Sequence, residues 1–297
     1  MGLHLGNQMT SETNQFQNQQ ESQSMEPVTL RDLRRWRREG TRFPCLTAYD
    51  ATTARWLSRA GVPVLLAGDS AAEVILGLPS TIHAPLDFLV TITAAVKRGA
   101  PNALVMADMP FMSYQAGDDD AMRNAGRFMT EGLADAVKVE VDRSHAPLVE
   151  RMARAGVPVV AHVGFKPQQV RRAGGYEVAG KTAVSALDVV QDAVAMFEAG
   201  AVIVLIEATP GEVAEMVVER VDVPVIGCGA GLACHGQIAV THDILGLTDW
   251  QPSFAKSEGH LGSSLQSVVE QWSERVRRGE ISHPYRMVEG EASQLEG

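Results

Sequence analysis

The segment Glu198-Ala199-Gly200-Ala201-Val202-Ile203-Val204-Leu205-Ile206-Glu207 decides how the chain is read. A helix ends at a glycine, an apolar β-branched strand follows at once, and the strand stops at a carboxylate. The same order recurs at Arg98-Gly99-Ala100-Pro101 and at Arg154-Ala155-Gly156-Val157-Pro158. Strands are read at 43–49, 63–67, 103–107, 136–140, 157–163, 201–207, 223–227 and about 237–241. Several are apolar throughout, as expected of a parallel sheet covered on both faces. No strand–GxGxxG–helix fingerprint marks an open doubly wound sheet. The pattern therefore predicts an α/β fold, a single (β/α)8 barrel.

Acidic residues stand where these apolar runs stop. Val64-Leu65-Leu66-Ala67 runs into Gly68-Asp69-Ser70, Leu104-Val105-Met106-Ala107 into Asp108, and Ala136-Val137-Lys138-Val139 into Glu140. In a barrel the carboxyl ends of the strands share one rim, where active sites lie. Asp69, Asp108, Glu140 and Glu207 would repel one another there, with Lys138 as the single cation among them. A divalent cation is the simplest remedy, and magnesium suits hard carboxylate oxygens. Zinc is disfavoured because no His/Cys cluster has ligand spacing.

Lys138 and Glu140 are two apart on a strand, so they share a face opposite Val137, Val139 and Val141. A solvated edge-strand pair is the bland reading, but a closed barrel has no edge. Each aspartate alone could be a helix cap, and Glu207 could be a satisfied structural glutamate instead of a base. His162 reads equally as a substrate-orienting group and as a core histidine bonded to backbone. Gly227, Gly229 and Gly231 follow strand seven, where barrels often bind anions through backbone N–H groups. His242 and Asp243 also fall near strand ends. Cys228, Cys234 and His235 lack a fourth partner for a soft-metal site.

The chain has 297 residues and a net charge of −10, which argues against nucleic acid as a partner. Three cysteines, Cys45, Cys228 and Cys234, form no disulfide framework. No apolar run is long enough to span a membrane, and the N-terminus lacks a signal-peptide core, so a cytoplasmic location is expected. Residues 1–25 are rich in Gln, Asn, Ser and Thr. Residues 1–27 are read as a disordered tail, with Met25 as an alternative start, and 28–297 as the catalytic barrel including its C-terminal helix. Thr29 caps a first helix carrying Leu30, Leu33 and Trp36. Leu265, Val268, Val269, Trp272 and Val276 recur at helical spacing in the last helix. That stripe packs on its own barrel or makes a subunit contact.

With these residues assembled, the sequence closely resembles the ketopantoate hydroxymethyltransferase family. The matching strings run in order from about residue 28 to 280: TAYD (47–50), AGDS (67–70), AAVKRGAP (94–101), ADMPFMSY (107–114), VKVE (137–140), HVGFKPQ (162–168), GGYEVAGK (174–181), IEATP (206–210), PVIGCGAG (224–231), HDILGL (242–247) and FAK (254–256). The resemblance implies transfer of a hydroxymethyl group from 5,10-methylenetetrahydrofolate to 3-methyl-2-oxobutanoate, giving 2-dehydropantoate in pantothenate biosynthesis. It implies Mg2+ at Asp69, Asp108 and Glu140, and 2-oxo acid contacts from Asp69, Ser70, Asp108 and Lys138. It also implies Glu207 as proton acceptor, and a homodecamer as the assembly.

The chain departs from the family pattern at Ala71-Ala72-Glu73, at Leu78, at Ile92 and at His235. These positions bear on folate docking, rate and 2-oxo acid preference more than on the metal site. A related carbon–carbon lyase, a Schiff-base aldolase built on Lys138, and a non-catalytic paralogue are the competing readings.

Overall fold

The computed structural model describes residues 26–289, together with Glu291 and Leu295. The expected tail falls outside the described residues except for Glu26 and Pro27, and Met25 lies outside them too.

Eight parallel strands close into a barrel in sequence order: β1 (Phe43–Thr47), β2 (Val64–Ala67), β3 (Leu104–Asp108), β4 (Ala136–Glu140), β5 (Val159–Gly164), β6 (Ile203–Glu207), β7 (Val225–Cys228) and β8 (Gly236–Ala239). The expected fold class is the observed one. Some boundaries moved. The strands read as starting at 157 and 223 begin two residues later, just after Pro158 and Pro224. The first strand stops short of Tyr49 because Asp50 already caps the next helix, Ala51–Arg59, accepting from the N–H groups of Thr52 (2.7 Å) and Thr53 (2.9 Å).

Strand alternation sorts the side chains into two cores. Phe43, Val64, Leu66, Leu104, Met106, Ala136, Val160, Ile203, Leu205 and Ile226 fill the barrel. Val137, Val139, Val159, Ala161, Val204 and Ile206 point outward and pack with the surrounding helices, including Ala183–Glu198 and Gly211–Arg220. By the same parity Lys138 and Glu140 face inward, above Ala136.

The amino end of the barrel is shut by the helix Leu30–Glu39. The Thr29 backbone N–H and hydroxyl both bond Asp32 Oδ2, at 2.9 and 2.7 Å, which starts that helix. Leu33 is fully buried, and Val28, Leu30 and Trp36 pack against the barrel interior. With that end plugged by apolar groups, polar chemistry is confined to the carboxyl rim.

The chain divides into two compact units, one ending at Thr241 and the other starting at His242. The second contains the helix Leu261–Arg277, on which Leu265, Val268, Val269, Trp272 and Val276 are exposed. Among the described residues, no helix is long and apolar enough to cross a membrane.

Candidate active site

The carboxyl rim gathers the residues that the sequence singles out. The parity that places Leu104 and Met106 inside the barrel carries Asp108 inward at the end of β3. Its register partner on β4 is Lys138. Lys138 Nζ donates to Asp108 Oδ1 at 2.5 Å, and both side chains are buried. The other Asp108 oxygen accepts the backbone N–H of Asp69 at 3.0 Å, so the turn after β2 is fastened to the end of β3. Gly68 permits this approach: a Cβ there would lie 2.9 Å from Ser70 Oγ and 3.4 Å from Asp108 Oδ2. Ser70 is held in turn by the Tyr49 hydroxyl, at 2.8 Å between oxygens.

Glu140 closes β4 and is paired in register with His162 of β5. Its Oε2 accepts the backbone N–H of Gln168 at 3.0 Å, while Oε1 is buried without a hydrogen-bond partner. His162 is completely buried between two acids, with Nδ1 3.6 Å from Glu140 Oε1 and Nε2 3.4 Å from Glu207 Oε2. Glu207 ends β6 opposite Gly164. Gly164 has φ +90°, and a Cβ there would lie only 2.5 Å from the Glu207 carbonyl oxygen. That carbonyl accepts the Phe165 N–H at 2.9 Å. Only glycine lets the two strands meet this closely in that conformation.

The electrostatics follow from burying several acids around one ammonium. Burial pushes Asp69 up to about 7, with Asp108 adding to it and Lys138 opposing. Burial raises Glu140 well above the carboxylate range against the pull of Lys138, with Asp69 and Glu207 reinforcing the rise. Glu207 is pushed up to about 7, mainly by burial and then by Asp69 and Asp108 against Lys138. Desolvation works against the Lys138 charge, but the carboxylates of Asp108, Asp69 and Glu140 outweigh it and raise its pKa. His162 is held well below its ordinary value by burial and by the charge of Lys138, so the ring is neutral. The site thus contains more carboxylate than its own cation can balance.

An added cation fits that imbalance. The donors are hard oxygens, and Glu140 Oε1 is a buried acceptor awaiting a partner. Among the described residues no group of three or more His, Cys, Asp or Glu side chains is arranged so that it could hold a metal ion. Magnesium does not require such a group, since it is commonly held by one or two carboxylates with substrate and water oxygens completing the shell.

Two groups that sequence spacing did not single out complete the site. Tyr114 accepts the Glu140 backbone N–H at 3.0 Å, and its hydroxyl lies 3.0 Å from Gln168 Oε1. The Gln168 side-chain amide donates to Asp69 Oδ2 at 3.0 Å. Both residues sit inside quoted strings, but a neutral Tyr or Gln carries no charge pattern that would set it apart. Elsewhere the functional readings find less support. His235 Nδ1 accepts the Val225 N–H at 3.0 Å, a structural bond within the β7–β8 corner. Gly231 is needed for packing, because a Cβ there would meet the Gly211 Cα at 2.8 Å. Asp243 accepts from the Thr248 hydroxyl at 2.8 Å within the second unit.

Residues 27–284 match the family model described as ketopantoate hydroxymethyltransferase. A 3-methyl-2-oxobutanoate hydroxymethyltransferase of Hyperthermus butylicus is 46% identical over 254 residues, covering 86% of this chain and 88% of that protein. The enzyme of the same name from Syntrophobacter fumaroxidans is 43% identical over 256 residues, covering 85% and 91%. Among solved structures, a phosphonopyruvate hydrolase in complex with oxalate and Mg2+ aligns with TM-score 0.57 at 16% identity, over 91% of this chain and 95% of that one. A 2,3-dimethylmalate lyase of the PEP mutase/isocitrate lyase superfamily aligns with TM-score 0.54 at 18% identity, over the same shares. These two likenesses concern the fold alone.

Proposed function

The chain belongs to the ketopantoate hydroxymethyltransferase family, and we propose that it transfers a hydroxymethyl group from 5,10-methylenetetrahydrofolate to 3-methyl-2-oxobutanoate. The product is 2-dehydropantoate, an intermediate of pantothenate biosynthesis. The observation that carries this reading is the convergence of the buried Asp69, Asp108, Lys138 and Glu140 with the partly exposed Glu207 on one barrel rim.

Each residue has a task set by its surroundings. Lys138 supplies the positive charge that a 2-oxo acid's carboxylate needs on entering a buried site, and Asp108 fixes where the ammonium sits. Ser70 offers a hydroxyl beside that position, oriented by Tyr49. Asp69, Asp108 and Glu140 would hold Mg2+. When bound, the ion supplies Lewis-acid withdrawal of charge from the 2-oxo group. Glu207 takes the C3 proton of the substrate. A base whose pKa is about 7 is matched to neutral pH, being ionised often enough to act and basic enough to be effective. The C3–H electron pair becomes the enolate, which bonds to the one-carbon unit of the folate. Both C–N bonds of the methylene carbon break to release tetrahydrofolate, water supplies the hydroxyl O–H, and the two folate nitrogens take up the C3 proton held by Glu207 and the remaining proton of water.

The homodecamer and the cytoplasmic location belong to this proposal too, supported by the family resemblance. The purified chain, given Mg2+, 3-methyl-2-oxobutanoate and 5,10-methylenetetrahydrofolate, is expected to form 2-dehydropantoate, detectable by mass spectrometry. No product at saturating folate would overturn the reading. Borohydride trapping with the 2-oxo acid should leave Lys138 unmodified, whereas an adduct would favour a Schiff-base aldolase.

A further inference from the structure

Gln168 is a buried neutral side chain with every hydrogen-bonding group engaged, and it reaches three different strand ends. It lies on the 3-10 turn Pro167–Gln169 that follows β5. Nε2 donates to Asp69 Oδ2 at 3.0 Å and to the Met109 carbonyl at 3.1 Å. Oε1 lies 3.0 Å from the Tyr114 hydroxyl and 3.3 Å from Gln115 Nε2. The backbone N–H of the same residue donates to Glu140 Oε2 at 3.0 Å. The amide orientation is forced by this company. The Met109 carbonyl can only accept and therefore requires the NH2 end, which leaves Oε1 toward the Tyr114 hydroxyl and Gln115.

One residue thus occupies one oxygen of each of two acids from different strands. What is left of Glu140 is Oε1, buried and unbonded. We propose that Gln168 is the positioning residue for the metal-binding carboxylates: it holds Oδ2 of Asp69 and Oε2 of Glu140 so that the other oxygen of each faces the ligand. Tyr114 serves as its lock, bonding the Gln168 carbonyl while also accepting the Glu140 backbone N–H. The inference rests on the reading of Asp69 and Glu140 as ligands of Mg2+. Substituents that orient metal ligands commonly matter by ~10–100-fold in metal affinity.

The test is calorimetric titration of Mg2+ into the metal-free wild type, Gln168→Met and Tyr114→Phe, with and without 3-methyl-2-oxobutanoate. Thermal melts run alongside to count folded protein. Gln168→Met keeps the volume and the backbone N–H but loses the donor to Asp69. Mg2+ affinity is expected to fall by ~10–100-fold in Gln168→Met and by a smaller factor in Tyr114→Phe. The double variant should lose less than the product of the two factors, because both act on one amide. A lowered melting temperature with unchanged Mg2+ affinity in Gln168→Met would reduce the residue to a structural tie and overturn the inference alone. A wild type that binds no Mg2+ under either condition would overturn the inference together with the metal reading beneath it.

Discussion

Nε2 of His162 lies 3.4 Å from Oε2 of Glu207, on the neighbouring strand. The ring is buried and neutral, and its other nitrogen faces Glu140 at 3.6 Å. A neutral imidazole can donate from one nitrogen and accept at the other. Here neither ring nitrogen makes a hydrogen bond, so the ring stands as a buried neutral spacer between the two acids. Replacing it by His162→Leu leaves both acids without that spacer. kcat/KM is expected to fall by ~10–100-fold, in the range seen for groups that orient functional ligands. Steady-state kinetics on the folded variant checks this.

Glu207→Gln removes the proton acceptor and keeps its shape. kcat should fall by ~10²–10⁴, the usual contribution of a positioned general base. Binding of 3-methyl-2-oxobutanoate, followed by calorimetry, should change by no more than about threefold, because Lys138 and the other rim groups are intact. A comparable loss of binding would instead assign Glu207 to substrate recognition.

Lys138→Met strips the cation from a buried pair and leaves Asp108 facing Asp69 uncompensated. Breaking a buried pair from one side costs about 3–5 kcal/mol. Denaturant unfolding of the metal-free variant should show a loss of that order, and KM for the 2-oxo acid should rise at least about tenfold. An unchanged KM would remove Lys138 from the substrate site.

Stability of the metal-free chain should depend on pH with a defined sign. Asp69 and Glu207 have folded pKa values of about 7 against 3.8 and 4.5 ordinarily, so the native state binds protons more tightly than the unfolded one. Their stabilising contribution is complete below those ordinary values and is lost as pH rises towards and through about 7. Melting temperature should therefore drop between about pH 5 and about pH 8, and Asp69→Asn should flatten the slope. Mg2+ should raise the melting temperature more at the upper end of that range, where the carboxylates are charged. A slope of opposite sign would refute the proposed protonation.

Gly164→Ala tests the β5–β6 contact. The new methyl would lie 2.5 Å from the Glu207 carbonyl oxygen and 3.0 Å from Thr209 Cγ2, on a backbone with φ +90°. The strained conformation alone costs about 1–3 kcal/mol. Activity should fall beyond the loss of folded protein, since the peptide that carries Glu207 must shift. Kinetics normalised to folded fraction separates the two effects.

Much of this chain's architecture lies in its one-dimensional pattern. Glycine-terminated helices followed by apolar strands indicate a parallel sheet covered on both faces, and eight such strands without a GxGxxG fingerprint favour its closure into a barrel. Two-residue alternation sends Lys138 and Glu140 inward, and the same parity carries Asp108 and Glu207 to one rim. Charge made those positions conspicuous, and although each acid alone could be a helix cap or a satisfied structural group, their shared place at strand ends set them apart. The tertiary structure decided what neutral groups do. Gln168 lies 99 positions from the aspartate it holds and Tyr114 lies 54 from Gln168, separations across which no local period extends. It also decided the neutral state of His162, because burial and the neighbouring Lys138 charge arise only when distant strands close into a ring. Strand pattern is a local property of the chain, whereas hydrogen-bond partnership and desolvation exist only between segments that folding brings together.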